Sequence, residues 1–432
     1  MTDVVIIGGG LAGCEAALQI AKKGIKVKLY EMKPVKYSEA HSNENLAEVV
    51  CSNSFKSNAI TNACGLLKEE LRILGSELIK IADEVRVPAG QALAVDREEF
   101  ARKVTEVVSK NENIELIRQE VTQIPEKGIV VLATGPLTSE KLSKEILKLT
   151  GGKNLAFYDA AAPIIEKDSI NMDIGFFGDR YGKLSDNSYI NLPMTKEEYE
   201  KFYNELINAE VATLHEFEKR EIFEGCMPIE IMAKRGIDTL RYGPLKPVGF
   251  RNPKDDSKPY AIIQLRQDNA KATLYNMVGF QTNLKFGEQK RVFSLIPGLE
   301  NANFVKYGVM HRNTYINSSK LLDSTYNLKS NSNIYFAGQI TGVEGYVESI
   351  ASGMVVGLNI VNKLLGKEKI IFPKETVIGA LSKYISTENE NFQPMNANFG
   401  ILPELDVRIK DKIERYGKLA EISLENLQEY VR

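Results

Sequence analysis

Residues 3–31 read DVVIIGGGLAGCEAALQIAKKGIKVKLYE, and the order of features along them decides the fold. Val4 to Ile7 form a short apolar run stopped by glycine, the pattern of a strand buried on both faces. Gly8, Gly10 and Gly13 then give the spacing G-x-G-x-x-G, a tight turn into a helix expected from Leu11 to about Lys23 and closed by Gly24. A second strand is expected from Ile25 to Tyr30, with Glu31 at its end. Alone, three glycines at this spacing say little. In the order strand, turn, helix, strand, acid they specify a site for an adenine dinucleotide. The residues expected to meet its pyrophosphate are Gly8, Gly9, Gly10, Leu11, Ala12 and Gly13, where bare backbone and a helix N-terminus face the negative charge. Glu31 is placed to accept from ribose hydroxyls. Cys14, inside the helix, reads as core.

The far end of the chain separates FAD from NAD. Residues 332–366, SNIYFAGQITGVEGYVESIASGMVVGLNIVNKLLG, predict a strand from Ile334 to Ala337 and a helix from about Tyr346 to Leu365. Between them lies a glycine-rich turn containing Gly338, Gln339 and Gly342. In two-part FAD folds such a unit returns beside the first one, and its helix N-terminus faces the flavin's pyrimidine edge. VVLATGP, residues 130–136, predicts a further strand of the same sheet. No second G-x-G-x-x-G follows, so the expected resident cofactor is FAD, with NAD(P)H a visitor. The expected fold class is α/β: a two-part Rossmann-like FAD-binding domain (1–178 and 276–432) with an inserted α+β domain at 179–275. The charged stretch from Lys196 to Glu224 is expected to be helical, and residues 410–432 to form a pair of amphipathic helices.

The composition agrees with a multi-domain globular chain: 432 residues, 43% hydrophobic and 26% charged. No apolar run reaches the length of about 18 residues that a membrane helix needs, and the opening MTDVV lacks the basic start of a secretion signal. The expected location is the cytoplasm. Four cysteines without a CxxC pair and only three histidines argue against a metal site. The formal net charge of −2 hides one basic stretch, residues 233–254, AKRGIDTLRYGPLKPVGFRNPK. Lys234, Arg235, Arg241, Lys246 and Arg251, with Tyr242 and Phe250 interleaved, read either as a solvated loop or as an RNA-contacting surface.

Two thiols stand in polar surroundings. In AEVVCSNSFKS (47–57), Cys51 follows two valines and precedes Ser52, Asn53 and Ser54; Cys226 sits in FEGCMPIE, just before the basic stretch. Each reads either as a small core side chain or as a reactive group. Cys64, in NACGLLKEE, reads as structural.

GGGLAGCEAA, EVVCSNSFKS, VPAGQALAVDREEF, FEGCMPIE, RGIDTLRYGPLKPVG, LYNMVGFQTNLKFGEQKRVF, IPGLENANFVKYGVMHRNTYINS and GQITGVEGYVESIASG occur together in one short chain. In these stretches, over nearly its full length, the chain resembles the TrmFO family, the folate- and FAD-dependent tRNA (uracil-5-)-methyltransferases. It departs from the family pattern at Gln91, where a glycine usually stands, and at Leu192, where a cysteine often stands. The resemblance implies C5-methylation of a uridine, by default in the tRNA T-loop, with 5,10-methylenetetrahydrofolate as carbon donor and FAD reduced by NAD(P)H. It implies Cys226 as nucleophile and Cys51 as the flavin-side base. His311, Arg312 and Asn313 are implied on the folate or substrate side: the imidazole to stack on a pterin, the arginine to meet a carboxylate or phosphate. Alternatives are the same chemistry on a 23S ribosomal uridine, or a GidA-like modification of the tRNA wobble uridine. A monomer or weak homodimer is expected.

Overall fold

The computed structural model describes residues 4–151, 155–178, 180, 189–212 and 227–431; the side chains of 155–159, His311 and Arg312 are outside the description. Strand Val4–Ile7 pairs in parallel with Val27–Glu31 on one side and Ile129–Leu132 on the other. Ile114–Arg118 extends the first side, Asn331–Phe336 the second, and the short strand Asn327–Leu328 adds an antiparallel edge. The six-stranded order therefore interleaves the two ends of the chain, as the two-part reading requires. All four residues of Val4–Ile7 and of Ile129–Leu132 are buried, which is why both read as unbroken apolar runs.

The first helix runs Leu11–Ala21, ending before the expected Lys23, and the late helix runs Tyr346–Leu364. They cross in close contact. A Cβ on Gly353 would lie 2.3 Å from the Ala12 carbonyl oxygen, and one on Gly357 would lie 2.9 Å from Gln19 Cβ.

The second sheet is antiparallel, in the order Phe176–Phe177, Tyr189–Met194, Ala261–Gln267, Leu274–Met277, Ile164–Glu166, Phe304–Lys306. It draws strands from both sides of 179–275 and is wider than the insertion expected there, because Ile164–Glu166 and Phe304–Lys306 complete its far edge. Met310–Tyr315 pairs with Leu155–Ala160 in a two-stranded ribbon. The charged stretch forms a helix over Lys196–Asn208, opened by a Thr195–Glu198 capping box. Val211 then bridges to Leu284, so the helix is shorter than expected; 213–224 lie outside the described residues. Instead of two C-terminal helices there is one, Lys412–Val431. Gly417 falls within it, and Ala420, Ser423 and Leu427 form a single buried stripe. Among the described residues no helix is long and apolar enough to cross a membrane, and no group of His, Cys, Asp and Glu is set to hold a metal.

Candidate active site

The glycine turn and the late glycine turn open onto one cavity of about 470 Å³. Its walls include Gly8, Gly9, Gly10, Leu11, Ala12, Glu31, Cys51, Asn313, Gly338 and Gln339. Gly13 and Gly342 support it without lining it. A Cβ on Gly13 would sit 1.9 Å from the Gly8 carbonyl oxygen, and Gly342 (φ +85°) packs under Phe392. Gly8 has φ +110° and a virtual Cβ 2.3 Å from the Ala133 carbonyl oxygen, so fold geometry demands glycine there. Gly10 differs. Its φ is −78° and a Cβ there meets nothing within 4 Å among the described residues, so its missing side chain leaves room in the cavity and nowhere else. The Glu31 carboxylate accepts from the Gly9 N–H at 3.0 Å and the Lys33 N–H at 2.9 Å, which fixes it at the cavity wall. This cradle, with the Tyr346–Leu364 helix N-terminus opposite, fits a dinucleotide carrying a flavin.

Cys51 follows the apolar run and lies half-buried on the cavity wall. Its position is held from several directions. The Arg97 guanidinium donates to the Val49 and Val50 carbonyls at 2.7 and 3.1 Å while forking onto Asp268 at 3.0 and 3.1 Å. The Tyr346 hydroxyl accepts from the N–H groups of Cys51 and Ser52 at 2.9 and 3.1 Å. Arg266 donates to Asn53 Oδ1 and Ser52 Oγ, and Asn53 donates to the Val95 and Gln267 carbonyls. The Cys51 thiol donates to the Ala160 carbonyl at 3.6 Å. The polar residues after Cys51 are therefore the fittings that fix its backbone. Burial pulls the Arg266 guanidinium below its usual range and lifts the Tyr346 phenol above its own. Lys306, within electrostatic reach of Cys51, is lowered by burial and then by Arg97, with Glu48, Asp268 and Cys51 acting the other way.

The other described thiols are buried, Cys14 in the core and Cys64 on the cavity wall. Burial pushes Cys14 far up and Cys64 up to about 11. Cys226 lies outside the described residues. Three residues beyond it, the Ile229 N–H donates to the Gln281 carbonyl at 2.7 Å, and Gln281 lines the cavity. His311 and Arg312 lie on strand Met310–Tyr315 with their side chains undescribed; Asn313, on the same strand, is buried on the cavity wall.

The basic stretch is less uniform than its composition. Arg241 stacks on Tyr260 at 3.6 Å, donates to the Tyr260 carbonyl and pairs with Asp238. Arg251 pairs with Asp256. Lys234 is exposed and Lys246 half-exposed; neither side chain has an ion-pair partner among the described residues. Arg235 is exposed, Tyr242 is 82% exposed, and Phe250 is buried with Arg180 stacked 5.1 Å above it. Gln91 is exposed in a turn and does not line the cavity, whereas Leu192 is buried in the second core beside Gly298.

Sequence reasoning did not single out Arg97, Arg266, Tyr346 or Lys306. One signal was available: AIIQLRQ is a strand in which arginine interrupts an apolar run, and a charge there needs a partner. His41, also unmarked, lines the cavity with its Nδ1 2.5 Å from Ser38 Oγ and is lowered by burial.

Known proteins converge on the same result. Residues 3–368 match the family model described as "Glucose inhibited division protein A". Methylenetetrahydrofolate–tRNA-(uracil-5-)-methyltransferase TrmFO of Acetivibrio thermocellus is 60% identical over 433 residues, covering 100% of this chain and 99% of the relative. The TrmFO of Fusobacterium nucleatum is 58% identical over 430 residues, again covering 100% and 99%. Among solved structures, Aquifex aeolicus GidA (form I crystal) superposes with TM-score 0.70 at 19% identity, covering 100% of this chain and 77% of that one, a likeness of fold. The chain belongs to the TrmFO family, within the broader GidA group.

Proposed function

We propose that this chain methylates C5 of a uridine in tRNA, taking the carbon from 5,10-methylenetetrahydrofolate and reducing equivalents from NAD(P)H. The observation that carries the reading is Cys51, anchored by Arg97, Arg266 and Tyr346 on the wall of the cavity that the dinucleotide turn opens onto. The names of relatives 58–60% identical over the whole chain support the substrate and the donor. They also favour this reading over the wobble-uridine alternative. Reduced FAD would supply the hydride that turns the transferred methylene into a methyl.

The chain's own groups divide the remaining work. C5 of uracil is a poor nucleophile until a thiolate adds at C6, and Cys226 is assigned that addition. The resulting C5 enolate attacks the one-carbon electrophile, after which a base must take the C5 proton as the tetrahydrofolate nitrogen leaves the new carbon, giving the exocyclic methylene that the hydride reduces. Cys51 is assigned that proton, its backbone held at the cavity wall by the Arg97 and Tyr346 hydrogen bonds. Departure of the Cys226 sulfur from C6 restores the ring. His311 and Arg312 are assigned to the folate, and Lys234 and Lys246, two ammoniums of the basic stretch without an ion pair among the described residues, to RNA phosphates.

A uridine carrying fluorine at C5 cannot lose a proton there, so tRNA containing it should be trapped on Cys226. In a denaturing gel, wild type and Cys51→Ala should both show a shifted protein–RNA band, and Cys226→Ala none. Retention of the band in Cys226→Ala with its loss in Cys51→Ala would exchange the two roles. Retention in both single variants would end the assignment of either thiol as nucleophile.

A further inference from the structure

Two oxygens on the cavity wall are buried without a hydrogen-bond partner among the described residues: Glu348 Oε2 and Asn313 Oδ1. Both residues are 1% exposed. Glu348 is the third residue of the Tyr346–Leu364 helix, and its other oxygen is engaged. Oε1 accepts from the Ala397 N–H at 2.9 Å and lies 3.6 Å from Lys56 Nζ. The chain makes room for the free oxygen. A Cβ on Gly345, which has φ +126°, would stand 2.2 Å from Oε2, so only glycine allows the carboxylate to sit there. A buried carboxylate oxygen left unpaired costs about 1–3 kcal/mol or more. A partner brought by a ligand would remove that cost.

The chemistry of the partner can be read from the wall. Its unsatisfied buried atoms are both acceptors; Asn276 Nδ2 and Ser318 Oγ, the other unpaired buried atoms among the described residues, are not among the lining residues. The pyrimidine edge of a flavin presents a single N–H between two carbonyls, one donor for two unpaired oxygens. The pyrimidine edge of a reduced pterin presents N3–H beside a 2-amino group, two adjacent donors. We infer that Glu348 Oε2 is the acceptor that reads the 2-amino and N3–H edge of the folate's pterin, with Asn313 Oδ1 open to a further donor of the same ligand. This inference rests on the proposed use of a folate.

Glu348→Gln tests it with little change of shape. The Ala397 N–H and the Lys56 ammonium hold an oxygen at the Oε1 position, so the amide nitrogen falls at Oε2 and opposes donor with donor. The probes are tetrahydrofolate and its 2-desamino analogue, titrated into the flavin-loaded protein and followed by perturbation of the flavin absorbance. The expected result is unchanged flavin content and tetrahydrofolate binding weakened roughly ten- to a hundredfold. Wild type should also discriminate against the 2-desamino analogue, and the variant should not. Unchanged tetrahydrofolate affinity in Glu348→Gln would overturn the inference. A variant that loses flavin, yet binds tetrahydrofolate normally once FAD is restored, would give the oxygen to the flavin and overturn it as well. Wild type that binds no folate would instead remove the proposed function, and this inference with it.

Discussion

At Gly10 the reason for glycine lies in the cavity. The backbone there is ordinary and a methyl group would touch nothing of the described protein. Gly10→Val should therefore fold with a melting temperature close to wild type yet purify without its yellow flavin, because the valine occupies pyrophosphate space. Absorbance at 450 nm per protein, beside a melting curve, checks this; full flavin occupancy would show that the turn holds something else. Gly13, with the Gly8 oxygen 1.9 Å from a virtual Cβ, should by contrast lose stability when replaced. The sequence shows three glycines at a recognised spacing and cannot say which serve the fold and which the ligand. Cys51 was legible in the same partial way. Its polar neighbours marked a site, but Arg97 and Arg266 come from 46 and 215 positions along the chain, and only the folded sheets bring them to it.

The crossing of helices Leu11–Ala21 and Tyr346–Leu364 ties the two ends of the chain over the cavity. Gly353 sets their separation, since a Cβ would press on the Ala12 oxygen at 2.3 Å. Gly353→Ala should force the helices apart, cost about 1–3 kcal/mol and loosen flavin together with stability. Thermal unfolding and flavin release on dilution check it; a variant equal to wild type in both would mean that the crossing is not tight. Both helices were legible from glycine turns followed by apolar runs, with ends moved by one or two residues. The single C-terminal helix was not. Its short buried stripe, at Ala420, Ser423 and Leu427, leaves most of the helix surface polar, and apolar periodicity alone does not show whether such a segment is continuous.

Across the whole molecule, a buried acid helps to fasten the two last helices to the first half of the chain. Glu70 accepts from the N–H groups of Val377 and Ile378, at the start of helix Val377–Ser386, and from the Ser423 hydroxyl of the last helix. Burial outweighs these donors and pushes its carboxyl from 4.5 up to about 7. A raised value means that the folded state holds this proton more tightly than the unfolded chain. The contribution is therefore fully present below about pH 4.5 and is lost as pH rises through about 7, a change on the order of 3 kcal/mol. Relative to Glu70→Gln, wild type should lose melting temperature across that window; parallel curves would refute the linkage. The two-part sheet was legible because each of its halves carries its own glycine signature. The breadth of the second sheet was not, since Ile164–Glu166 and Phe304–Lys306 are three-residue strands 138 positions apart, whose pairing no local pattern announces. In the proposed function these parts meet at a cavity where thiol, flavin and folate act on one uridine. The most direct measurement incubates the purified protein with NADPH, 5,10-methylenetetrahydrofolate labelled in its methylene carbon, and unmodified tRNA, and analyses the nucleosides by mass spectrometry. The expected result is labelled 5-methyluridine formed by wild type and by neither Cys51→Ala nor Cys226→Ala. Unlabelled tRNA from flavin-loaded wild type, or label on a wobble uridine, would contradict it.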